Sequence, residues 1–574
     1  MPAKRILIIA IGCHFTACAS ILHAIGAEDA LRLAIPPKKD VPAEVARRRN
    51  MTAEGRVADE QQVLISQLRG IAVTTRPENA PALQAARHSG LLLEGLSNLQ
   101  ARAVSQALMK FLSRPVTLRS LDDMAELVET SLEKQTQLLV KAGFPPQEIT
   151  AGTVVMVVRP ARVDRVILRG NPAFGCSFIQ KSLQVVPGDL LKKDQIAADL
   201  DWLNENPLRS MHASLSPSAK DGFMDLVLQV DAARSWRVFS GIDNFLSDRL
   251  GDWRWYLGLQ HGNLWNLDHR LTGMFTSGLD AEALHGGSLT YEIPLPWQHL
   301  LETGISYSES RSKRTSGATL IDQSGRYQRY QITYLVPLPR LRGLKLAWRT
   351  GLSFRDQLYL LDASRPGAVS VHRSRGWHGL QVETGLTARC QDRFGTTFSN
   401  LRLLWNPGST CLGSSDQAAR QLGAGGSQAW LAELTLQRSL KLKHAGTLMA
   451  RLEGQWSDRA LLAADQFSPA VAGRARGFDE ITGYGDNGAV LSLEWLTAWQ
   501  KTTNLGSIRG LLFSDGALVH QRMPGRDVRL LSTGAGVRWQ SKALALQCDL
   551  GVPLIATHGI ETRPRARFSL SLSW

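Results

Sequence analysis

The stretch TLMARLEGQW, Thr447–Trp456, alternates between two chemistries. Leu448, Ala450, Leu452 and Trp456 share one parity, while Arg451, Glu453 and Gln455 occupy the other. Successive side chains of a strand point to opposite faces, so a period of two describes a strand with one apolar and one polar face. The same pattern recurs on both sides of it. In LKLAWRTGLSF, Leu344, Leu346, Trp348, Leu352 and Phe354 fall together. In RFSLSLSW, Phe568, Leu570, Leu572 and Trp574 oppose serines. From about residue 236 onward, segments of about ten residues repeat this alternation between Gly, Asp, Asn and Pro, as expected of strands that cross a bilayer. Tryptophan is frequent there, which suits interfacial girdles. A soluble sandwich also alternates; an apparent export signal and a chain that closes on an aromatic strand favour the barrel. The region from 236 to 574 accommodates about 14–18 strands.

The bulk numbers agree with this without demanding it. The 574 residues exceed one ordinary domain, and the 44% hydrophobic content with a mean hydropathy of −0.13 suits a barrel, whose wall averages apolar with polar positions. The formal charge of +15 carries no basic block interleaved with aromatics, so it reads as charge dispersed over polar surfaces and a polar lumen, with no nucleic-acid partner.

Lys4 and Arg5 precede an apolar stretch from Ile6 to Ala27, with small residues before Glu28. Residues 1–27 read as a secretory signal, in preference to a membrane anchor; Cys18 lacks the aliphatic residue that lipidation favours upstream. Beyond it, no run of 18 apolar residues provides a helical span. Cys176, Cys390, Cys411 and Cys548 have no metal-ligand spacing. Cys390 and Cys411 flank a loop-like segment and are either a disulfide or free thiols.

Between signal and barrel the chain changes character. Residues 28–65, with IPPKKDVPAEVARRRN, form an extension or linker. Residues 66–160 contain a strand at LRGIAV, a helix over LDDMAELVETSLEKQTQLLVKAG that Gly143 ends, and a strand at GTVVMVV. Residues 161–234 read as β-α-α-β-β: RVDRVILRGN, AFGCSFIQKSL, KKDQIAADLDWLNEN, then RSMHASLSP and GFMDLVLQV joined by a turn at PSAKDG. The first block looks like a shorter copy of the second.

Five segments in order carry a resemblance. GFPPQEITAGTVVMVV with RVDRVILRGN, then LNENPLRSMHASLSPSAKDGFMDLVLQV with Leu203, Asn204, Asn206 and Pro207, resemble two POTRA modules. GIDNFLSDRLGDWRW with NLWNLDHRL resembles a first barrel hairpin. The segment 450–495, containing VAGRARGFDEITGYGDNG, resembles a block ending in an Arg-Gly-Phe/Tyr motif, and LLFSDGA a later Phe-x-Asp strand motif. Together they resemble the outer-membrane transporters of two-partner secretion, the hemolysin-activator and filamentous-hemagglutinin-transporter family of the barrel-assembly superfamily. The chain departs from that pattern in four places. Residues are missing between Gly143 and Pro146, where a strand is usual. Ala470–Gly473 replaces a Gly-Gly, Ala475 replaces a Val, and Gly516 comes one residue early.

The resemblance implies a transmembrane antiparallel β-barrel of about 16 strands, preceded by two small α+β POTRA modules, in the bacterial outer membrane with the modules in the periplasm. It implies that a loop near 465–488 folds back into the barrel as a latch. Arg476, Gly477 and Phe478 would form its tip, Asp515 would be the inner-wall partner, and Phe513 and Gly516 would support it. A guanidinium in a narrow lumen needs a carboxylate, which a planar fork meets bidentately, and Gly477 allows close approach. The implied function is export, and so activation, of a large partner exoprotein captured by the POTRA modules, among outer-membrane lipid.

Nothing in the sequence points to catalysis. There is no P-loop, His-Glu-x-x-His or Gly-x-Ser-x-Gly, so no enzyme activity, cofactor or metal is expected. His261, His269 and His285 read as lumen or loop residues, and Asp231 and Glu453 as lumen or turn acids without an identifiable partner. The alternatives are a barrel assembly factor, which would usually carry more POTRA modules, a passive porin, and a secreted adhesin sandwich.

Overall fold

The computed structural model describes Ala46–Arg47 and residues 63–574, apart from 137, 171–175, 221, 232–233, 317–318, 342, 365–369, 444, 471–473, 480–481 and 503–505. The signal at 1–27 and nearly all of the extension at 28–65 lie outside the described residues. The described residues divide into two compact units, one within 40–233 and one within 234–574.

The larger unit is a closed antiparallel barrel of 16 strands, with the two-residue Gln500–Lys501 segment alongside Ser507–Gln521. Each strand pairs with its sequence neighbour, and Trp236–Asp243 closes the ring on Arg565–Ser573 from Phe239↔Ser573 to Asp243↔Ser569. Closure follows from the apolar parity: a sheet that faces hydrocarbon has no water for unpaired edge amides. Along Gly446–Ser457, Leu448 and Trp456 are exposed while Glu453 and Ser457 are buried. Along Arg565–Ser573, Ser569 and Ser571 face inward. The parity read from these segments is therefore the parity of the wall.

Short turns lie at one end and long loops at the other. Trp265, Trp297, Trp348, Trp495 and Trp574 are exposed toward the short-turn end, and Trp255, Trp405, Trp430 and Trp456 toward the long-loop end. Trp405 and Trp430 stack at 5.7 Å. These are two interfacial belts. Leu300–Ser316, Thr319–Leu341, Leu344–Ser364 and Val371–Gln391 run 17 to 23 residues, about twice what a bilayer requires, so they rise past the belt.

Charges on the inner wall are paired across neighbouring strands. Arg254 meets Asp243 at 2.9 Å, Arg270 meets Glu292 at 2.7 Å and Arg402 meets Glu433 at 2.8 Å, each between residues in register. Cross-strand opposites neutralise one another where water is restricted.

In the smaller unit, the first sheet runs Gly90–Glu94, Gly70–Thr74, Thr153–Pro160, Val140–Gly143. Helices Asn98–Leu108 and Leu118–Thr136 cover one face through Val104, Leu108, Met124, Val128 and Leu132. Three expectations are corrected here. The helix ends at Thr136, whose hydroxyl donates to the Leu132 carbonyl at 2.9 Å and accepts from the Leu138 amide at 3.3 Å. Gly143 is thus no helix terminator. Val140–Gly143 is a strand antiparallel to the end of Thr153–Pro160, so the strand that seemed missing was hidden in the apparent tail of the helix. The block is also no shorter copy of the second: it adds the helix Ala80–Ala85 and the strand Gly90–Glu94.

The second sheet runs Arg162–Gly170, Phe223–Asp231, Ser210–Pro217, with Ala46–Arg47 on the outer edge. The asparagine of the LNENP segment is a turn builder. Asn204 donates to the Met211 carbonyl at 3.0 Å and accepts from its amide at 2.7 Å, so it ties the helix end to the next strand. Asn206 accepts from the Leu208 amide at 3.1 Å.

The disulfide between Cys390 and Cys411 is excluded. Cys390 lies near the short-turn end of Val371–Gln391, and Cys411 in a loop at the long-loop end, with Gly395–Asn406 spanning the wall between them. A bridge needs Cα atoms within about 7 Å, and both are free thiols together with Cys548.

Leu436 lies midway along Ala429–Leu442 and is 39% exposed on the outer face. Leu436→Arg should cost about 2–4 kcal/mol in urea unfolding of the lipid-reconstituted barrel. Thr435→Ser, on the lumen parity of the same strand, should stay within about 0.5 kcal/mol.

Candidate functional site

The loop between Gly446–Ser457 and Asn487–Leu496 turns into the lumen. Its two limbs are tied together: the Phe467 amide donates to the Gly485 carbonyl at 2.7 Å and the Gly485 amide returns the bond at 3.1 Å. Buried Asp486 accepts from the amides of Leu461 and Arg522, each at 2.7 Å. These bonds satisfy backbone that would otherwise be stranded away from water.

Arg476 lies between these anchors and is 4% exposed; Asp515, on Ser507–Gln521, is fully buried. The fork is met on every side. Nε donates to Asp515 Oδ2 at 2.8 Å and Nη2 to Asp515 Oδ1 at 2.8 Å, while the Arg476 amide also reaches Oδ2 at 3.0 Å. Nη1 stands 2.7 Å from Glu494. Ser492 accepts from Nη2 at 3.0 Å and donates to Asp515 at 2.6 Å. The guanidinium carbon lies 3.7 Å from the centre of the Phe513 ring. Burial alone pushes the guanidinium pKa down; the hydrogen bonds and charge of Asp515, with Glu494 and Asp549, more than reverse it, so the net shift is upward and the group stays charged.

Gly477 has φ +101°, and a Cβ there would stand 3.2 Å from the Gly551 carbonyl carbon and 3.3 Å from Ser532 Cβ. Two glycine backbones, one on the loop and one on the wall, therefore pack directly. Phe478 is 1% exposed in a cluster with Phe467, Val490, Val519, Val528 and Leu530, a burial that contributes about 1.5–3 kcal/mol. The Phe478 carbonyl accepts from Arg567 Nη2 at 2.9 Å. Asp479 then meets Arg565 at 3.3 Å, and the same guanidinium holds Asp248 down to about 2.

The structure thus brings Arg476, Gly477, Phe478, Asp515 and Phe513 together. It does not bring Gly516. On Ser507–Gln521, Phe513, Asp515, Ala517 and Val519 face inward, so Gly516 has the outward parity; a Cβ there would make only ordinary contacts, with Leu531 Cδ1 at 3.7 Å and the Leu530 carbonyl oxygen at 4.0 Å. The space that Phe513 needs comes instead from Gly534, where a Cβ would stand 2.4 Å from the ring. Sequence reading missed Gly534, Gly551, Ser492, Glu494 and Arg567. The glycines did carry a signal, since glycine inside a strand often marks close approach. The others looked like ordinary wall residues. Glu453 does have partners, Arg451 and, at 2.8 Å, Arg474 of the loop. His269 bonds Tyr291 at 2.6 Å and His285 the Ala281 carbonyl at 2.9 Å.

A 16-stranded barrel with a loop pinned inside its lumen, following small α+β modules, defines an outer-membrane β-barrel with periplasmic POTRA modules. A family model described as "Haemolysin secretion/activation protein ShlB/FhaC/HecB" matches residues 222–539, and the chain belongs to that family, the transporters of two-partner secretion. It is 21% identical over 481 residues to the heme/hemopexin transporter protein HuxB of Haemophilus influenzae (strain 86-028NP), covering 82% of this chain and 83% of that one. It is 22% identical over 468 residues to the outer membrane transporter CdiB of Dickeya dadantii (strain 3937), covering 77% and 78%. Among solved structures, CdiB from Escherichia coli superposes with a TM-score of 0.66 at 16% identity, over 95% of both chains. BamA from Haemophilus ducreyi lacking POTRA domains 1–3 gives 0.51 at 13% identity, over 83% and 98%. The fold is shared with that barrel; the family match is what separates secretion from the assembly-factor and porin alternatives.

Asp515→Ala would leave Arg476 buried without its main carboxylate and should cost about 3–5 kcal/mol in chemical unfolding. Arg476→Met with Asp515→Leu should cost less than that single change. Gly477→Ala should cost about 1–3 kcal/mol through its left-handed backbone.

Proposed function

We propose that this transporter exports a large partner exoprotein through its own lumen, and that the Arg476–Asp515 pair is the latch that keeps the pathway shut. The observation that carries this reading is the pair itself: a loop charge buried in the lumen and held by a wall carboxylate through two guanidinium nitrogens and one amide. Breaking one partner strands the other, so the pair works as a two-state tie. Phe478 adds an apolar wedge and Gly477 lets the tip lie against the wall.

The smaller unit has the features of a capture module. Its sheets end in strand edges, and an unfolded chain arriving in the periplasm binds such edges by strand addition or in a strand–helix groove. Release of the latch then opens the lumen, and the substrate threads outward as a hairpin or extended chain. The periplasm provides no ATP, so folding of the passenger outside drives net movement. The outer face of the barrel, with exposed Leu434, Leu436 and Leu493, meets outer-membrane lipid.

Comparative mass spectrometry of culture supernatant and cell surface, with and without this gene, tests the reading. Loss of one large protein with unchanged outer-membrane barrels is expected; loss of many barrels would replace export by assembly. Arg476→Ala should abolish secretion while the barrel still inserts, and normal export by that variant would sink the latch.

A further inference from the structure

The same loop is fastened at a second place, on a different part of the wall. Asp465 ends the short turn Ala463–Asp465, eleven residues before the latch motif begins at Arg476. Its carboxylate Oδ1 accepts from Nη1 of Arg355, on Leu344–Ser364. Both side chains are almost wholly buried, at 5% and 1% exposure. Five wall strands lie between Leu344–Ser364 and the strand of Asp515. The loop leaves the wall between these two places, so it is tied on both sides of its root and lies across the lumen.

Arg355 is positioned rather than adventitious. Its Nη2 donates to Asn406 Oδ1 at 3.0 Å, Gln381 donates to the same oxygen at 3.1 Å, and the guanidinium lies 5.3 Å over Trp377. The Asp465 carbonyl accepts from Gln455 at 2.8 Å. Apolar contacts follow the charge. Ala463 and Ala464 pack on Tyr327 and Tyr359, and Leu462 packs on Trp377 with Ala419 and Ala424 of the neighbouring loop. The Gly425 amide of that loop donates to the Ala460 carbonyl at 2.8 Å. Fastening Asp465 therefore also holds the 407–428 loop over the lumen.

We propose that Arg355 and Asp465 form a second clamp on the latch loop, separate from Arg476–Asp515, and that the pore opens only when this clamp is released. The inference rests on the reading of the loop as a gate. Two unlike charges buried together lose most when only one is removed, so the clamp predicts coupled behaviour of its two members.

The test uses the full-length protein, purified from outer membranes and placed in planar bilayers without passenger. Arg355→Gln and Asp465→Asn should each raise open-state occupancy about tenfold or more. The double variant should open no further than the more open single variant. Arg355→Lys, which keeps the charge, should stay closer to the unmodified protein than Arg355→Gln. Single variants that remain as closed as the unmodified protein, or a double variant whose effect is the product of the two, would overturn the clamp. Asp465 lies on the loop, so Asp465→Asn leaves the strands intact; should Arg355→Gln fail to insert, a closed pore in Asp465→Asn alone is the overturning result. Export by the same cells is scored separately. An open pore with no exported protein keeps the clamp and rejects the export reading, while normal export with an unresponsive pore rejects the clamp alone.

Discussion

A sheet immersed in hydrocarbon has nowhere to place an unpaired amide, and this constraint shapes the rest of the molecule. Each strand must find two neighbours, so the first strand closes on the last and the wall becomes a ring. The ring then forces a second condition. With one face given to lipid, polar side chains must share an enclosed lumen, where charge is poorly solvated. The wall meets it with carboxylates and guanidinium groups facing one another on adjacent strands, as Asp243 and Arg254 do.

A lumen of this kind is also where a loop can be held strongly and reversibly. Arg476 is removed from water, and its charge survives because Asp515 and Glu494 meet the fork. The geometry depends on small residues at the contact. Gly477 and Gly551 bring two backbones together, and Gly534 makes room for the ring that Arg476 covers. Arg567 reaches from the last strand to the tip carbonyl. The first half of the loop repeats the device with Arg355 and Asp465, so one segment is fastened to distant parts of one ring.

Much of this was legible in residues. The parity of Leu448 against Glu453, or of Leu570 against Ser571, reports which side is wet, because a strand offers only two faces. The motif residues Arg476, Gly477, Phe478 and Asp515 were legible through resemblance, since sequence spacing alone does not connect position 476 with 515. Errors arose where local pattern was ambiguous. Leu138 and Leu139 continue a helical spacing, yet Thr136 turns the chain and Val140–Gly143 pairs with a strand instead. Gly516 sits in a motif yet faces out, one residue from the buried carboxylate. Cys390 and Cys411 are near in sequence and separated by the length of a strand.

The sequence by itself determined the alternating wall and its inward and outward sides, because these follow from period and side-chain chemistry, while the residues that tie the loop came through the resemblance. Only the tertiary structure decided which charges meet. Arg355 and Asp465 are 110 positions apart, and Arg476 reaches Glu494 and Ser492 as well as Asp515. Such partners are set by the order of strands around the ring and by the path of the loop across it. Both are global consequences of closure, and no local pattern encodes them.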